Sequence, residues 1–284
     1  MIYILVPTFG RIDETKKFLE SLENSIQKEY IVIIIDDHPE KVTYKNIKVT
    51  DKLKIITSEN ELWWVGSINL GIKIIFHDFK LDDNDLVIFA NNDVQINKKS
   101  FELLYDELKN DKNQILHPRT FDQDGKEVSS GTKILSLFPY ITIHPKSFDQ
   151  NKIRIDMGTA RFLCFSASIL KKVGYITNSL VQYGGDNYFT LIAKKKYNIN
   201  TYILRDAKCH LDDTNTGIKN MNINSLRKLY SSFFSVRSPN NIKYRYYLFK
   251  SIYNKFIAFF VVFSLTINTV LKYLVRKKFV NHEK

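Results

Sequence analysis

Leu86-Val-Ile-Phe-Ala-Asn-Asn-Asp93 sets an apolar run directly against two amides and a carboxylate. A short, continuous apolar run suits a strand buried on both faces, as strands of parallel sheets are. Its polar end, Asn91-Asn92-Asp93, then falls at the carboxyl edge of the sheet, where open α/β folds bind ligands. An ordinary strand-to-helix turn would use the same residue types, because Asn and Asp favour turns and N-caps. Against the plain turn stands the rest of the chain, which brings further oxygen-bearing segments to matching topological positions.

Upstream, Met1 to Val6 reads as a buried strand and Pro7-Thr-Phe-Gly-Arg11 as a loop. Glu14 to Ser25 follows as a helix with Phe18, Leu19 and Leu22 on one face. Tyr30 to Ile35 is a second buried strand ending in Asp36-Asp37, and Leu53 to Thr57 a third. Glu61 to Phe79 contains Trp63-Trp64-Val65-Gly66, then a helix through Ile68, Ile72, Ile75 and Phe76. This alternation predicts a Rossmann-like half with parallel strands over residues 1–95. No GxGxxG follows the first strand and no GxxxxGK[ST] occurs, which argues against a dinucleotide dehydrogenase and a P-loop NTPase.

Downstream, the pattern predicts mixed α+β structure. The expected elements are a helix over Phe101–Lys109, a hairpin turn at Asp122–Gly125, a strand over Gly158–Ser166 and a helix over Ala167–Val173 stopped by Gly174. Tyr183-Gly-Gly-Asp186 opens another helix, and Thr201–Leu204 is a strand with Ala207-Lys-Cys-His210 just beyond it. The expected fold class is therefore α/β: a Rossmann-like mixed sheet flanked by helices, with a helical amphipathic tail. The expected division is 1–95, 96–218 and 219–284.

With 284 residues, 44% of them hydrophobic, the chain can bury one large core, alone or with an appendage. Cys164 and Cys209 form no CxxC pattern, which suits a reducing compartment. The opening residues read as a strand, not a signal peptide, so a cytoplasmic location is expected. The net charge is +12, but its basic clusters at 227–228, 243–250 and 272–278 flank apolar stretches. That layout favours an anionic membrane surface over nucleic acid, while a solvated lysine-rich surface accounts for part of the excess. Within the tail, Phe256, Phe259, Phe260, Phe263, Ile267, Val270, Leu271 and Leu274 share one helical face, and Lys255, Thr266, Thr269, Lys272 and Arg276 the other. An in-plane interfacial helix is the first reading, through residues 243–278. Packing on the body or on a second copy in a homodimer is the alternative. A span is disfavoured by Asn268 and Lys272.

The ordered set Val6-Pro-Thr-Phe-Gly-Arg11, Ile35-Asp-Asp37, Asn69-Leu-Gly71 and Asn91-Asn-Asp93 resembles family 2 glycosyltransferases of the GT-A fold over about residues 1–215. The Trp-Trp segment and the Asn-Asn-Asp form look closest to rhamnosyl- and galactofuranosyltransferase-like members. The resemblance implies that Asp93, with Asn91 in place of the usual first acid of a DxD, binds Mg²⁺ or Mn²⁺ at the donor diphosphate, and that His210 completes the metal shell. It implies donor contacts from Pro7, Thr8, Arg11, Asp36, Asp37, Trp64, Asn69, Asn91 and Asn92. Asp37 would meet the N3–H of a uracil or thymine and Asp36 the ribose, although one of the pair is expected to cap the following turn. Trp63, Gly158, Thr159, Arg161 and Gly185 would border the acceptor. Asp186, held at a helix N-terminus where the dipole favours its ionised form, would be the catalytic base; a plain N-cap is the structural alternative.

The expected function is metal-dependent, inverting transfer of a sugar from a UDP- or dTDP-sugar to a glycan or polyprenyl-linked acceptor. The setting would be surface polysaccharide synthesis at the inner face of the membrane. A catalytically inactive nucleotide-sugar or glycan-binding module is the alternative, motivated by Asn91. A sugar nucleotidyltransferase is disfavoured by the single glycine in the loop after the first strand.

Overall fold

The structure is a computed structural model that describes residues 1–145, 150–212 and 223–282, with side chains to residue 276. Its amino-terminal half runs β1 (Ile2–Thr8), α1 (Ile12–Ser25), β2 (Tyr30–Asp36), α2 (Val42–Asn46), β3 (Leu53–Thr57), α3 (Trp63–Asp78) and β4 (Leu86–Ala90). β1 pairs in parallel with β2 and β4, and β2 with β3, so their carboxyl ends share one edge. The continuous apolar runs follow from burial on both faces. Tyr3 and Leu5 enter one core with Ile68 and Ile72 of α3, whereas Ile2, Ile4 and Val6 enter another with Phe18 and Leu22 of α1.

The chain continues through β5 (Val94–Ile96), α4 (Lys98–Asn110), β6 (Gln114–Phe121), β7 (Glu127–Val128), β8 (Gly131–Leu137), β9 (Tyr140–Ile143), β10 (Lys152–Ile155) and β11 (Met157–Gly158). Then come β12 (Phe162–Ser166), α5 (Ala167–Val173), α6 (Gly185–Tyr197) and β13 (Asn200–Leu211). The main sheet is ordered β10-β13-β6-β12-β4-β1-β2-β3, and a smaller sheet β11-β8-β9. β12 runs antiparallel to β4 and β13 parallel to β6, so the expected mixed sheet extends through both halves of the chain. Phe89, Phe165 and Phe189 pack ring to ring at 4.7–5.1 Å and pin β4, β12 and α6 together.

Two expected spans differ. The strand predicted over Gly158–Ser166 is two strands, because β11 pairs with β8 of the small sheet and β12 with β4 of the large one. The residues between them, Thr159–Arg161, turn at the sheet edge. The segment Ala207–His210 lies within β13, extended past Leu204 by a register shift against β6 and by pairing with β5.

The tail forms α7 (Leu226–Ser232), α8 (Ile242–Ile252) and α9 (Lys255–His282); the expected boundary at 218 lies outside the described residues. α9 packs on the body through other residues than its phenylalanines. Ala258, Val261, Val262 and Tyr273 are buried, while Phe256, Phe259, Phe260 and Phe263 are exposed.

Candidate active site

The carboxyl ends of β1, β2 and β4 and the start of α6 open into one cleft of about 890 Å³. Asn91, Asn92 and Asp93 form its floor beside Arg161, because the antiparallel register sets Phe162 against Ala90 and the Asn91 amide reaches the Arg161 carbonyl at 3.4 Å. Each residue of the triplet has its own tether. Trp64 Nε1 donates to Asn91 Oδ1 at 3.3 Å, and Asn92 Nδ2 donates to Thr15 Oγ1 at 2.9 Å. Asp93 Oδ2 accepts from Arg11 Nη1 at 3.2 Å.

Asp93 Oδ1 is buried without a hydrogen-bond partner. Burial raises the carboxyl above its ordinary range against the opposing pull of Arg11 and Arg161. An orphaned carboxylate oxygen at a cleft floor fits a hard divalent cation held by one carboxylate plus phosphate oxygens. His210 is not brought to that oxygen. Side chains alternate along β13, so Cys209 and Leu211 are buried and His210 is exposed, its ring 6.1 Å from that of Phe121. Leu211 is the neighbour that reaches the cleft. Among the described residues no three His, Cys, Asp or Glu side chains cluster as a metal site.

The acidic pair after β2 divides its work. Asp36 is fully buried and accepts from the backbone N–H groups of His38 and Tyr44 at 3.2 and 2.9 Å, which closes the turn into α2 and sets it apart from the cleft. Asp37 lines the cleft, yet its two oxygens accept from Leu62 and Trp63 N–H at 2.7 Å each. It thereby satisfies orphan donors at the start of α3. Burial raises its carboxyl in spite of these two bonds. Trp63 is held at φ 58°, a left-handed conformation that is strained for a bulky residue. The tryptophan pair thus sits in the first turn of α3 and not on a free loop, and both rings line the cleft.

At the opposite wall Asp186 accepts from Asn187 N–H at 2.8 Å and Ala160 N–H at 3.3 Å. Burial raises its carboxyl, and these amides and Arg161 only partly oppose it. The helix N-terminus therefore does not hold it as strongly ionised as its sequence position implied. Gly185 packs behind the site: a Cβ there would lie 2.7 Å from Trp64 Cζ3. Its role is close approach of α6 to α3.

Thr159 faces the cleft and its hydroxyl lies 2.8 Å from His117 Nε2. His117 is fully buried with Nδ1 against the Pro118 carbonyl, and burial lowers its pKa to about 3, so the ring is neutral. Nδ1 carries the proton for that carbonyl and Nε2 accepts from Thr159, which leaves the hydroxyl oxygen as an acceptor towards the cleft. Gly158 is buried below, its N–H donating to Thr190 Oγ1 at 3.1 Å. Asn69 also lies away from the cleft, because its amide is consumed on both sides by Ile176 and Asn178. Pro7, Thr8 and Arg11 line the β1 side, with Thr8 tied to Thr43 at 3.1 Å.

Sequence reasoning missed Ser235 and Arg237, which reach the cleft from the segment between α7 and α8. The Arg237 guanidinium lies over the Trp63 ring at 5.5 Å. A lone arginine in a polar connection carries no local signal; only the packing of the tail brings it here.

The profile described as glycosyl transferase family 2 matches residues 3–174. No curated protein sequence matches the chain. Among solved structures, GalNAc-T7 with UDP, GalNAc and Mn²⁺ is similar with a TM-score of 0.56 at 10% identity, over 82% of this chain and 47% of that one. The chain thus spans about half the length of that protein, 47%, and at this identity the likeness is one of fold.

Proposed function

The chain belongs to glycosyl transferase family 2, and we propose that it transfers a sugar from a UDP- or dTDP-sugar to a hydroxyl of a glycan or lipid-linked glycan, with inversion. One observation carries this reading: Asp37, Asp93 and Asp186 line the same cleft as Arg11, Arg161 and Arg237. Asp37 keeps lone pairs for a pyrimidine N3–H beyond those used by α3. Asp93 Oδ1 would hold Mg²⁺ or Mn²⁺, which neutralises charge on the donor diphosphate when bound. Arg161 and Arg237 offer planar donors to phosphate oxygens.

Asp186 takes the proton of the acceptor hydroxyl as that oxygen bonds to the anomeric carbon. The bond from that carbon to the diphosphate oxygen breaks with its electron pair on the leaving group. The raised carboxyl of Asp186 makes it a stronger base than a solvated aspartate, as a proton acceptor requires. The Thr159 oxygen accepts from an acceptor sugar hydroxyl and orients it. We assign the enzyme to surface polysaccharide synthesis, peripheral on the inner face of the membrane through residues 243–278.

The test is release of nucleoside diphosphate from a panel of UDP-, dTDP- and GDP-sugars with Mn²⁺ or EDTA, comparing wild type with Asp93→Ala. Metal-dependent release from one donor, lost in the variant, is expected. A second reading, an inactive nucleotide-sugar-binding module, is favoured by the single carboxylate at the β4 edge, where Asn91 is occupied by Trp64. It predicts donor binding with no turnover under any acceptor, and Asp186→Asn then changes nothing.

A further inference from the structure

α9 has two apolar faces, and only one is used by the body. On that face Ser264 Oγ accepts from the Tyr140 N–H at 2.8 Å. The other face is an open stripe: Phe256, Phe259, Phe260 and Phe263 are 67%, 58%, 47% and 51% exposed. The β8–β9 turn extends this stripe. Phe138, 62% exposed, meets the Phe260 ring edge-on at 5.5 Å. Leu137 and Phe138 enclose with Ile257 and Phe260 an apolar hollow of about 310 Å³. Two elements distant in sequence thus form one exposed apolar plate, of a kind that marks an interaction surface.

Its borders are cationic. Exposed Lys255 stands at one end of the helix, and exposed Lys272 and Arg276 at the other. This frame complements anionic headgroups and would repel its own copy across an isologous contact. Residues Lys255–Arg276 are long and apolar enough to cross a bilayer. However, α9 packs along α8 and β9 of the folded body, which suits a helix laid on a membrane surface better than one crossing it.

The hairpin is linked to the cleft through the chain. Val128, a cleft residue, and Ser129, whose carbonyl accepts from Arg161 Nη1, lie just before β8. Its partner β11 leads into Thr159. β8 itself, from Gly131 to Leu137, spans about 20 Å.

We propose that the β8–β9 tip around Phe138 and the outward phenylalanine stripe of α9 form a single plate that inserts at the headgroup boundary of an anionic membrane, and that the hairpin sets the acceptor wall of the cleft at a fixed height above it. This rests on the membrane-peripheral reading of the function and deepens it, because the tail alone would leave the cleft free to face any direction.

The experiment uses the full chain with phosphatidylglycerol–phosphatidylcholine vesicles and with phosphatidylcholine vesicles alone. Cys164 and Cys209 are buried, so an environment-sensitive thiol dye attached to Phe138→Cys reports on the tip alone. The expected result is co-sedimentation with the anionic vesicles and a blue-shifted dye. Phe138→Ser and Phe260→Ser should each weaken vesicle affinity about tenfold. Their thermal midpoints should stay close to wild type, since both side chains are exposed outside the buried core. An unshifted dye, with Phe138→Ser binding as wild type does while Phe260→Ser is weakened, overturns the hairpin's part and leaves the membrane reading standing on α9. Failure of wild type to bind either vesicle overturns both. A dimer in sedimentation equilibrium that Phe260→Ser dissociates would identify a second copy as the occupant and likewise overturn the proposal.

Discussion

Arg11 Nη1 lies 3.2 Å from one oxygen of Asp93, and the other oxygen of the same carboxylate has no partner. A single carboxylate thus carries a counter-ion on one oxygen and an unsatisfied, buried acceptor on the other. Asp93→Ala should abolish the metal dependence of UDP or dTDP binding, and EDTA should lower wild-type affinity to the level of the variant. Calorimetric titration with and without Mn²⁺ checks both. Unchanged metal dependence in the variant would remove Asp93 from the site.

Asp186→Asn should lower kcat about 10²–10⁴-fold while donor affinity stays near wild type. The amide keeps the shape and the Asn187 contact but cannot take a proton. In wild type the acidic limb of kcat/KM should lie above the ordinary aspartate range, because burial raises this carboxyl. The sign for stability is the opposite. The raised folded pKa contributes stability below the unfolded value that is lost as pH rises through the folded one. A limb at ordinary aspartate pH would argue against Asp186 as the base.

His117 gives the reverse pH dependence. Its pKa falls to about 3 on burial, so its stability contribution is present above about 6.5, the unfolded value, and is lost as pH drops towards 3. Chemical denaturation across that window should show the loss, and His117→Gln should flatten it. The same variant should raise KM for the acceptor, because Thr159 loses the partner that fixes its hydroxyl.

Asp37→Asn should destabilise the fold by about 1–3 kcal/mol, since an amide has one acceptor oxygen where two buried N–H groups need two. Its second effect is weaker pyrimidine nucleotide binding. Equal stability of variant and wild type in urea would show that the α3 cap is not limiting.

Gly185→Ala should displace Trp64, because the new methyl would meet its ring at 2.7 Å. The Trp64–Asn91 bond at 3.3 Å is then strained from the far side of the cleft. A stability loss of about 1–3 kcal/mol with weakened donor binding is expected. Intrinsic tryptophan fluorescence and thermal unfolding follow both.

The amino-acid sequence by itself determined the α/β class, the parallel β1–β4 half and the edge at which Asp37 and Asp93 lie. Continuous apolar runs can be satisfied only by burial on both faces, and a parallel sheet puts every strand's polar end at the same side. It also placed Asp186 at the start of a helix after two glycines, and the structure sets that helix start at the cleft. Tertiary structure alone decided which polar groups remain available. Asp36 and Asn69 match the family pattern, yet their oxygens and nitrogens are spent on backbone and on the 176–178 turn, and that depends on which segments pack against them. His210 stands at a plausible position, but a period of two along β13 sends it outward once Leu211 is turned inward. Arg237 and the inward face of α9, with Ala258, Val261 and Val262, were not legible for the same reason. A helix with apolar residues on two sides does not announce which side the body will use; that is settled by Tyr140 and the β8–β9 hairpin meeting it from more than a hundred residues away in sequence.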